Sequence, residues 1–325
     1  MKKRLFSGIQ PTGAVHLGNY FGAIKNWVKL IDEFDCIYSI VDYHAITIEY
    51  DIKQMQEKIL DAVATNIAAG LDPEKCSIFV QSRIPQHTEL AWVLNSVTNM
   101  GSLERMVQFK QKSLQHEKNI NSGLFTYPVL QAADIMLYKA ETVPVGEDQL
   151  QHLELTREIT RKFNFKYGEI FPECKEYITR GARVMGLDGD SKMSKSLNNY
   201  ISLTEESETL KKKIMPAKTD ENRQRRTDVG NPDICSLYSF HQLVSSDEEL
   251  AEINTGCRSA GIGCVDCKKI LLKNMDALIT PIREKKMELL KDKSYLNDVL
   301  DQGAKKLLPI AENTMDEVRK SMGLR

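Results

Sequence analysis

The run Lys3-Arg4-Leu5-Phe6-Ser7-Gly8-Ile9-Gln10-Pro11-Thr12-Gly13, continuing into His16-Leu17-Gly18-Asn19, sets the fold class. Its first five residues read as a short strand and Gly8 to Gly13 as a turn. The apolar positions that follow, Leu17, Phe21, Ile24, Val28 and Ile31, fall on one face of a helix. Strand, glycine-bearing turn and helix make the opening of a βα unit. A helix N-terminus carries unpaired N–H groups and a partial positive charge, which suit a phosphate, and glycines allow close approach. The spacing matches neither a P-loop nor the Gly-x-Gly-x-x-Gly dinucleotide turn. A plain tight loop with His16 on the surface accounts for the same residues.

Beyond this run, β-branched stretches alternate with segments of helical period. Strands are expected at 36–41, 77–81 and 142–145, and helices at 52–69, from Gln86, over 129–139 and over 147–163. That alternation predicts an α/β fold, a Rossmann-like parallel-sheet nucleotide-binding domain. After Gly189 helical patterns dominate, at 205–213, 232–243, 268–290 and 295–322, the last interrupted near Pro309. The expected division is a catalytic domain over 1–200 and an all-helical C-terminal domain over 201–325, with a soft boundary inside 181–207.

Among 325 residues, 44 Lys+Arg stand against 45 Asp+Glu, and neither half has the basic excess of a uniformly polyanion-binding protein. No apolar run approaches the ~20 residues of a membrane span. The basic start at Met1-Lys2-Lys3-Arg4 lacks a secretory apolar segment, so a cytoplasmic location is expected.

A second phosphate feature is Asp190-Ser191-Lys192-Met193-Ser194-Lys195-Ser196, between Gly186, Gly189 and Asn198-Asn199. Two ammonium groups three residues apart on a hydroxyl-rich loop suit a clamp over a leaving pyrophosphate. A solvated surface loop is the alternative. The four cysteines of Cys235-x21-Cys257-x6-Cys264-x2-Cys267 supply soft ligands for Zn2+ or an iron–sulfur cluster; four unligated thiols are the other reading.

His16-Leu17-Gly18-Asn19 and Lys192-Met193-Ser194-Lys195-Ser196 resemble the two nucleotide-binding motifs of class I aminoacyl-tRNA synthetases. With Phe6–Gly13, Ile40–Thr47, Leu103–Met106, Tyr127-Pro128, Ala132–Ile135 and Val143–Gln149, nearly the whole chain resembles the bacterial tryptophanyl-tRNA synthetases. The resemblance implies formation of tryptophanyl-adenylate from L-tryptophan and ATP, with Mg2+, and then transfer to tRNA(Trp) by a homodimer. Its expected interface runs through helices near Ala91–Met106.

By resemblance, Gln10, Pro11, Thr12, His16, Gly18, Asn19, Gly146, Glu147, Asp148 and Val184 line the ATP site, with Lys192, Met193, Ser194, Lys195 and Ser196 closing over the phosphates. Lys112 matches a lysine that reaches the triphosphate; read alone, it is a solvated residue on a basic turn. Catalytic roles fall to Lys192, Lys195 and Lys112. The tryptophan site comprises Phe6, Gln10, His44, Tyr127, Gln131, Asp134, Val145 and Gln149.

Indole offers one N–H donor and no acceptor, so a buried acceptor selects it, and Asp134 matches that contact. An N-cap before Ile135 is the alternative for Asp134, and a core histidine for His44. Gln131 stands where many relatives have Met. The cysteine spacing resembles the subgroup with a [4Fe–4S] cluster in the anticodon-binding domain, although that subgroup usually has one more residue between the first two cysteines.

Overall fold

Leu5, Phe6, Ile37, Tyr38, Ile78, Phe79, Val143 and Val145 are all buried, without the alternation of a half-exposed strand. Such runs suit parallel strands covered on both faces. A computed structural model places them accordingly, describing residues 2–13, 15–115, 120–178, 184–195 and 197–324. Ser196, and the side chains of Lys112 and Glu147, lie outside the described residues.

The strands are β1 Arg4–Ile9, β2 Asp35–Ile40, β3 Ser77–Val80, β4 Thr142–Val145 and β5 Lys175–Ile178, all parallel, in the order β3-β2-β1-β4-β5. Register runs from Arg4 opposite Asp35 to Ile9 opposite Ile40, with Leu5 opposite Thr142 on the other side. The chain builds outward from β1 to β3 and then returns to the far side of β1. Ligands of open parallel sheets bind beyond the carboxyl ends of the strands at such a reversal. Here that position is taken by Gln10, after β1, and by Gly146, after β4.

Two compact units emerge: Met1–Gly13 with Trp27–Thr179 and Leu289–Arg325, and Ala14–Asn26 with Arg180–Glu288. In the sheet-bearing unit, the helix Ser122–Leu137 starts earlier than the apolar period suggests. Asn121 caps it, accepting from the Leu124 amide at 2.9 Å, and it passes through Pro128. Asp134 therefore sits near the end of a long helix rather than at an N-cap.

The helix Lys293–Ser321 packs on β3 and continues through Pro309. That proline faces solvent while Leu300, Leu307, Ala311 and Met315 hold the opposite face in the core, so losing one amide donor does not break the helix. Strand β5 is exposed along its length, which is why no apolar period announces it. In the second unit the helix Asp247–Arg258 opens on a Ser246–Glu249 capping box.

Candidate active site

The sheet-bearing unit holds a fully connected polar cluster beneath β1. Asp134 is 1% exposed. Its Oδ1 faces Gln81 Nε2 at 2.7 Å and His87 Nδ1 at 2.6 Å, and its Oδ2 faces His44 Nε2 at 2.8 Å. Burial pushes the carboxyl upward, but the hydrogen bonds from His44 and His87 outweigh it and hold the group below its ordinary value. Asp134 is thus a carboxylate. Beyond it, His87 Nε2 lies 2.7 Å from the Tyr138 hydroxyl, and Gln81 Oε1 accepts from the Tyr43 amide at 3.2 Å.

Apolar residues frame this cluster. Phe6 stacks on Tyr138 at 5.8 Å between centroids, and Tyr127 meets His44 edge-on at 6.3 Å. Tyr127 bonds His152 Nε2 at 3.0 Å, and burial pushes its hydroxyl up to about 12, so it remains a phenol at neutral pH. Val145 ends β4, buried. Gln131 is half-buried three residues before Asp134 on the same helix. The structure therefore brings Phe6, His44, Tyr127 and Asp134 together. Gln149 follows β4, its side chain donating to Asp148. A Cβ on Gly146 would stand 2.9 Å from Asp148 Oδ1, an exposed side-chain atom that can turn away.

The second unit carries the other signature. His16 caps the helical turn that opens at Leu17, its Nδ1 accepting from the Asn19 amide at 3.3 Å while Asn19 Oδ1 accepts from the His16 amide at 3.1 Å. Gly18 must be small because the His16 ring folds back over it, 2.9 Å from where a Cβ would stand. The next residues, Tyr20–Ile24, form one π-helical turn, a distortion that often marks functional sites.

Burial, then Lys195, then Lys192, push the His16 pKa down to about 4, so the ring stays neutral and caps through Nδ1. The same lysines thus place a positive potential at a helix start. Lys192 pairs across from Met185, Met193 donates its amide to Val184 O at 3.0 Å, and Asn199 fastens the turn. Asn199 Oδ1 accepts from the Ser194 amide at 2.8 Å, and its Nδ2 donates to Asp188 Oδ2 at 2.7 Å and to the Lys192 carbonyl at 3.4 Å. A Cβ on Gly186 would overlap the Asn199 amide.

The depressed His16 pKa has a measurable consequence. The unfolded chain takes up a proton on this ring near pH 6.5 and the folded chain only near 4. The His16 contribution is therefore complete above pH 6.5 and lost as pH falls towards 4. The expected loss is on the order of 1–3 kcal/mol. His16→Asn keeps an acceptor for the Asn19 amide and should flatten that part of the urea-unfolding profile; parallel profiles for the two proteins would refute the assignment.

Also in the second unit, the four cysteines converge. Cys235 precedes the helix Ser236–Val244, Cys257 lies in the last turn of Asp247–Arg258, and Cys264 and Cys267 open Cys264–Lys291. Burial and the other three sulfurs push the Cys267 thiol up to about 12. Arg223 Nη1 lies 4.0 Å from Cys257 Sγ and 3.9 Å from Cys264 Sγ, and His241 Nε2 lies 3.3 Å from Cys267 Sγ. A Cβ on Gly230 would stand 2.5 Å from Cys257 Sγ, so the backbone closes tightly on this group.

Among the described residues, no three His, Cys, Asp or Glu side chains are disposed to hold a single metal ion. Thiols are soft donors of the kind that hold zinc or an iron–sulfur centre. Several cations near this group are engaged internally. Lys268 Nζ donates to Met215 and Ala217 carbonyls at 2.7 and 2.8 Å, Arg258 pairs with Asp233, and Arg223 turns towards the sulfurs.

Sequence reading missed Gln81, His87, Tyr138 and His152, each of which acts through a partner distant in sequence.

Comparison with known proteins shows the family. The family described as tRNA synthetases class I (W and Y) matches residues 1–280. The tryptophan–tRNA ligase of Deinococcus radiodurans is 49% identical over 98% of both chains, and that of Thermotoga maritima 45% identical over 99% of both. The crystal structure of the Campylobacter jejuni tryptophanyl-tRNA synthetase complexed with ADP and tryptophan superposes with a TM-score of 0.89 at 36% identity, covering 99% of this chain and 100% of that one. The chain belongs to the class I tRNA synthetases, on their branch of ATP-dependent tryptophan–tRNA ligases.

Proposed function

We propose that the chain condenses L-tryptophan with the Mg2+ complex of ATP to tryptophanyl-adenylate and pyrophosphate, and then transfers the aminoacyl group to tRNA(Trp), with the following division of labour. Asp134 accepts the indole N–H, Phe6, His44, Gln131 and Val145 surround the ring, and Gln10, Tyr127 and Gln149 hold the amino-acid end. Gln10, Pro11, Thr12, Gly146, Glu147 and Asp148 in the sheet-bearing unit bind ATP. His16, Gly18, Asn19, Val184 and Met193 to Ser196 in the second unit also bind it. Lys192, Lys195 and Lys112 stabilise the charge that grows on the leaving pyrophosphate.

The observation that carries this reading is the buried, ionised Asp134 next to Phe6, His44 and Tyr127. A site built to accept one N–H rejects rings that lack it. Amino-acid-dependent ATP–pyrophosphate exchange across the standard amino acids tests it. Activity with tryptophan alone is expected, and activity with tyrosine alone would sink it.

We infer further that the converging thiols of Cys235, Cys257, Cys264 and Cys267 hold a [4Fe–4S] cluster rather than zinc, within a helical tRNA-binding region. Such a group would contribute folding energy; tryptophan activation transfers no electrons. Anaerobically purified protein should be brown and carry about four irons per chain. Stoichiometric zinc without iron or sulfide overturns this.

A homodimer is inferred from the exposed apolar side chains Trp92, 79% exposed, and Met100, in the stretch expected to form the interface, with exposed Val107 just beyond it. Sedimentation equilibrium of Trp92→Glu should give monomer if that face pairs. A tRNA substrate implies a cytoplasmic location, which fractionation of intact cells checks.

A further inference from the structure

Four acceptor positions are available on a carboxylate, two per oxygen. Among the described residues, three are taken on Asp134: Gln81 and His87 fill Oδ1, and His44 takes one place on Oδ2. His87 is fully buried, and among the described residues its second nitrogen meets the Tyr138 hydroxyl. With Asp134 ionised, Nδ1 of His87 is the donor to Oδ1, and Nε2 faces the Tyr138 hydroxyl. Tyr138 thereby holds the ring in orientation from its far side, as a carboxylate or carbonyl does for many functional histidines.

We propose that His87 is a positioning residue for tryptophan selection: with Gln81 it saturates Oδ1 of Asp134, and so leaves the remaining site on Oδ2 as the acceptor for the indole N–H. The chain Tyr138–His87–Asp134 then acts on the substrate only through the carboxylate. This rests on the reading of Asp134 as the indole contact. The alternative role for His87 is packing, since its ring also stacks on Phe79 at 5.7 Å.

An isostere separates the two. In 3-(3-benzothienyl)-L-alanine a sulfur replaces the indole N–H with little change of shape. Binding of tryptophan and of this analogue is measured by calorimetry for the wild type and for His87→Leu, His87→Gln, Tyr138→Phe and Asp134→Asn. If His87 positions the acceptor, His87→Leu weakens tryptophan by at least about 10-fold and the analogue by less than about 3-fold. His87→Gln, which keeps a donor for Oδ1, restores most of the preference.

Equal weakening of both ligands, or no weakening of either, overturns the proposal. Should His87→Leu fail to fold, Tyr138→Phe decides: a selective loss for tryptophan of about 3-fold supports it, and an equal loss for both ligands overturns it. Asp134→Asn guards the underlying reading. If it leaves the preference for tryptophan intact, the indole contact itself is misassigned, whatever the His87 variants show.

Discussion

Replacing Lys195 with alanine is expected to slow tryptophanyl-adenylate formation by about 10²–10³-fold while changing the Kd for tryptophan by less than about 2-fold. The proposed condensation runs without a covalent enzyme intermediate, so the protein accelerates it by positioning and by stabilising charge. Negative charge accumulates on the departing pyrophosphate. An ammonium that meets it there raises the rate, whereas one that meets only the ground-state triphosphate lowers KM.

Lys195 and Lys192 both help hold His16 neutral, so their field reaches the helix start that carries the His16–Asn19 signature. The backbone bearing them is fastened by Asn199. Lys195→Arg retains the charge on a bulkier, planar head and should recover only part of the rate. Single-turnover measurement at saturating ATP reads the chemical step directly. A loss confined to KM for ATP, with that step unchanged, would show that Lys195 serves binding alone.

Which parts of this were legible in the sequence follows from where the information lay. The strand at 142–145 is a short run buried at every position and the helix from Leu17 carries an apolar period, so local pattern is enough. Strand β5 carries none, because Lys175, Glu176, Tyr177 and Ile178 are all exposed and owe their conformation to pairing with β4. Pro309 reads as a break only when the helix is considered alone; the buried face beneath it decides otherwise.

The site divides in the same way. Lys192 and Lys195 lie in one contiguous string and are readable as such. Asp134 is readable as an acceptor, but His87, which with His44 holds it ionised, and Gln81, which takes the second place on Oδ1, lie 47 and 53 residues away. Nothing local distinguishes them from ordinary buried polar residues. The cysteine cluster was readable as a set, whereas the inward turn of Arg223 and Lys268 was not, since a basic run looks the same whether it faces solvent or carbonyls.

Gly303→Ala should destabilise the sheet-bearing unit by about 3 kcal/mol or more, one of the largest effects available from a single methyl group. Gly303 lies on the buried face of the helix Lys293–Ser321, where the helix crosses β3. A Cβ there would overlap the carbonyl oxygen of Ile78, with the Ile78 carbonyl carbon 2.8 Å away and its amide nitrogen 3.2 Å away. These are backbone atoms of a strand whose register with β2 is fixed from Ile37 opposite Ser77 to Ile40 opposite Val80. No rotamer can yield, so either the helix lifts or the strand shifts. Lifting the helix uncovers Leu300, Leu307, Ala311 and Met315, each fully buried or nearly so.

Ordinarily Gly→Ala inside a helix stabilises by about 1 kcal/mol, so the sign of the change is itself diagnostic. Equilibrium urea unfolding of Gly303→Ala is compared with Gly22→Ala, a control in a helical turn where a Cβ would meet open space. Gly168 is unsuitable for that purpose despite its open surroundings, because its left-handed backbone would strain an alanine. Destabilisation at Gly303 with little change or a gain at Gly22 is expected. A gain in stability at Gly303 would mean that the C-terminal helix does not rest on β3 at this closeness.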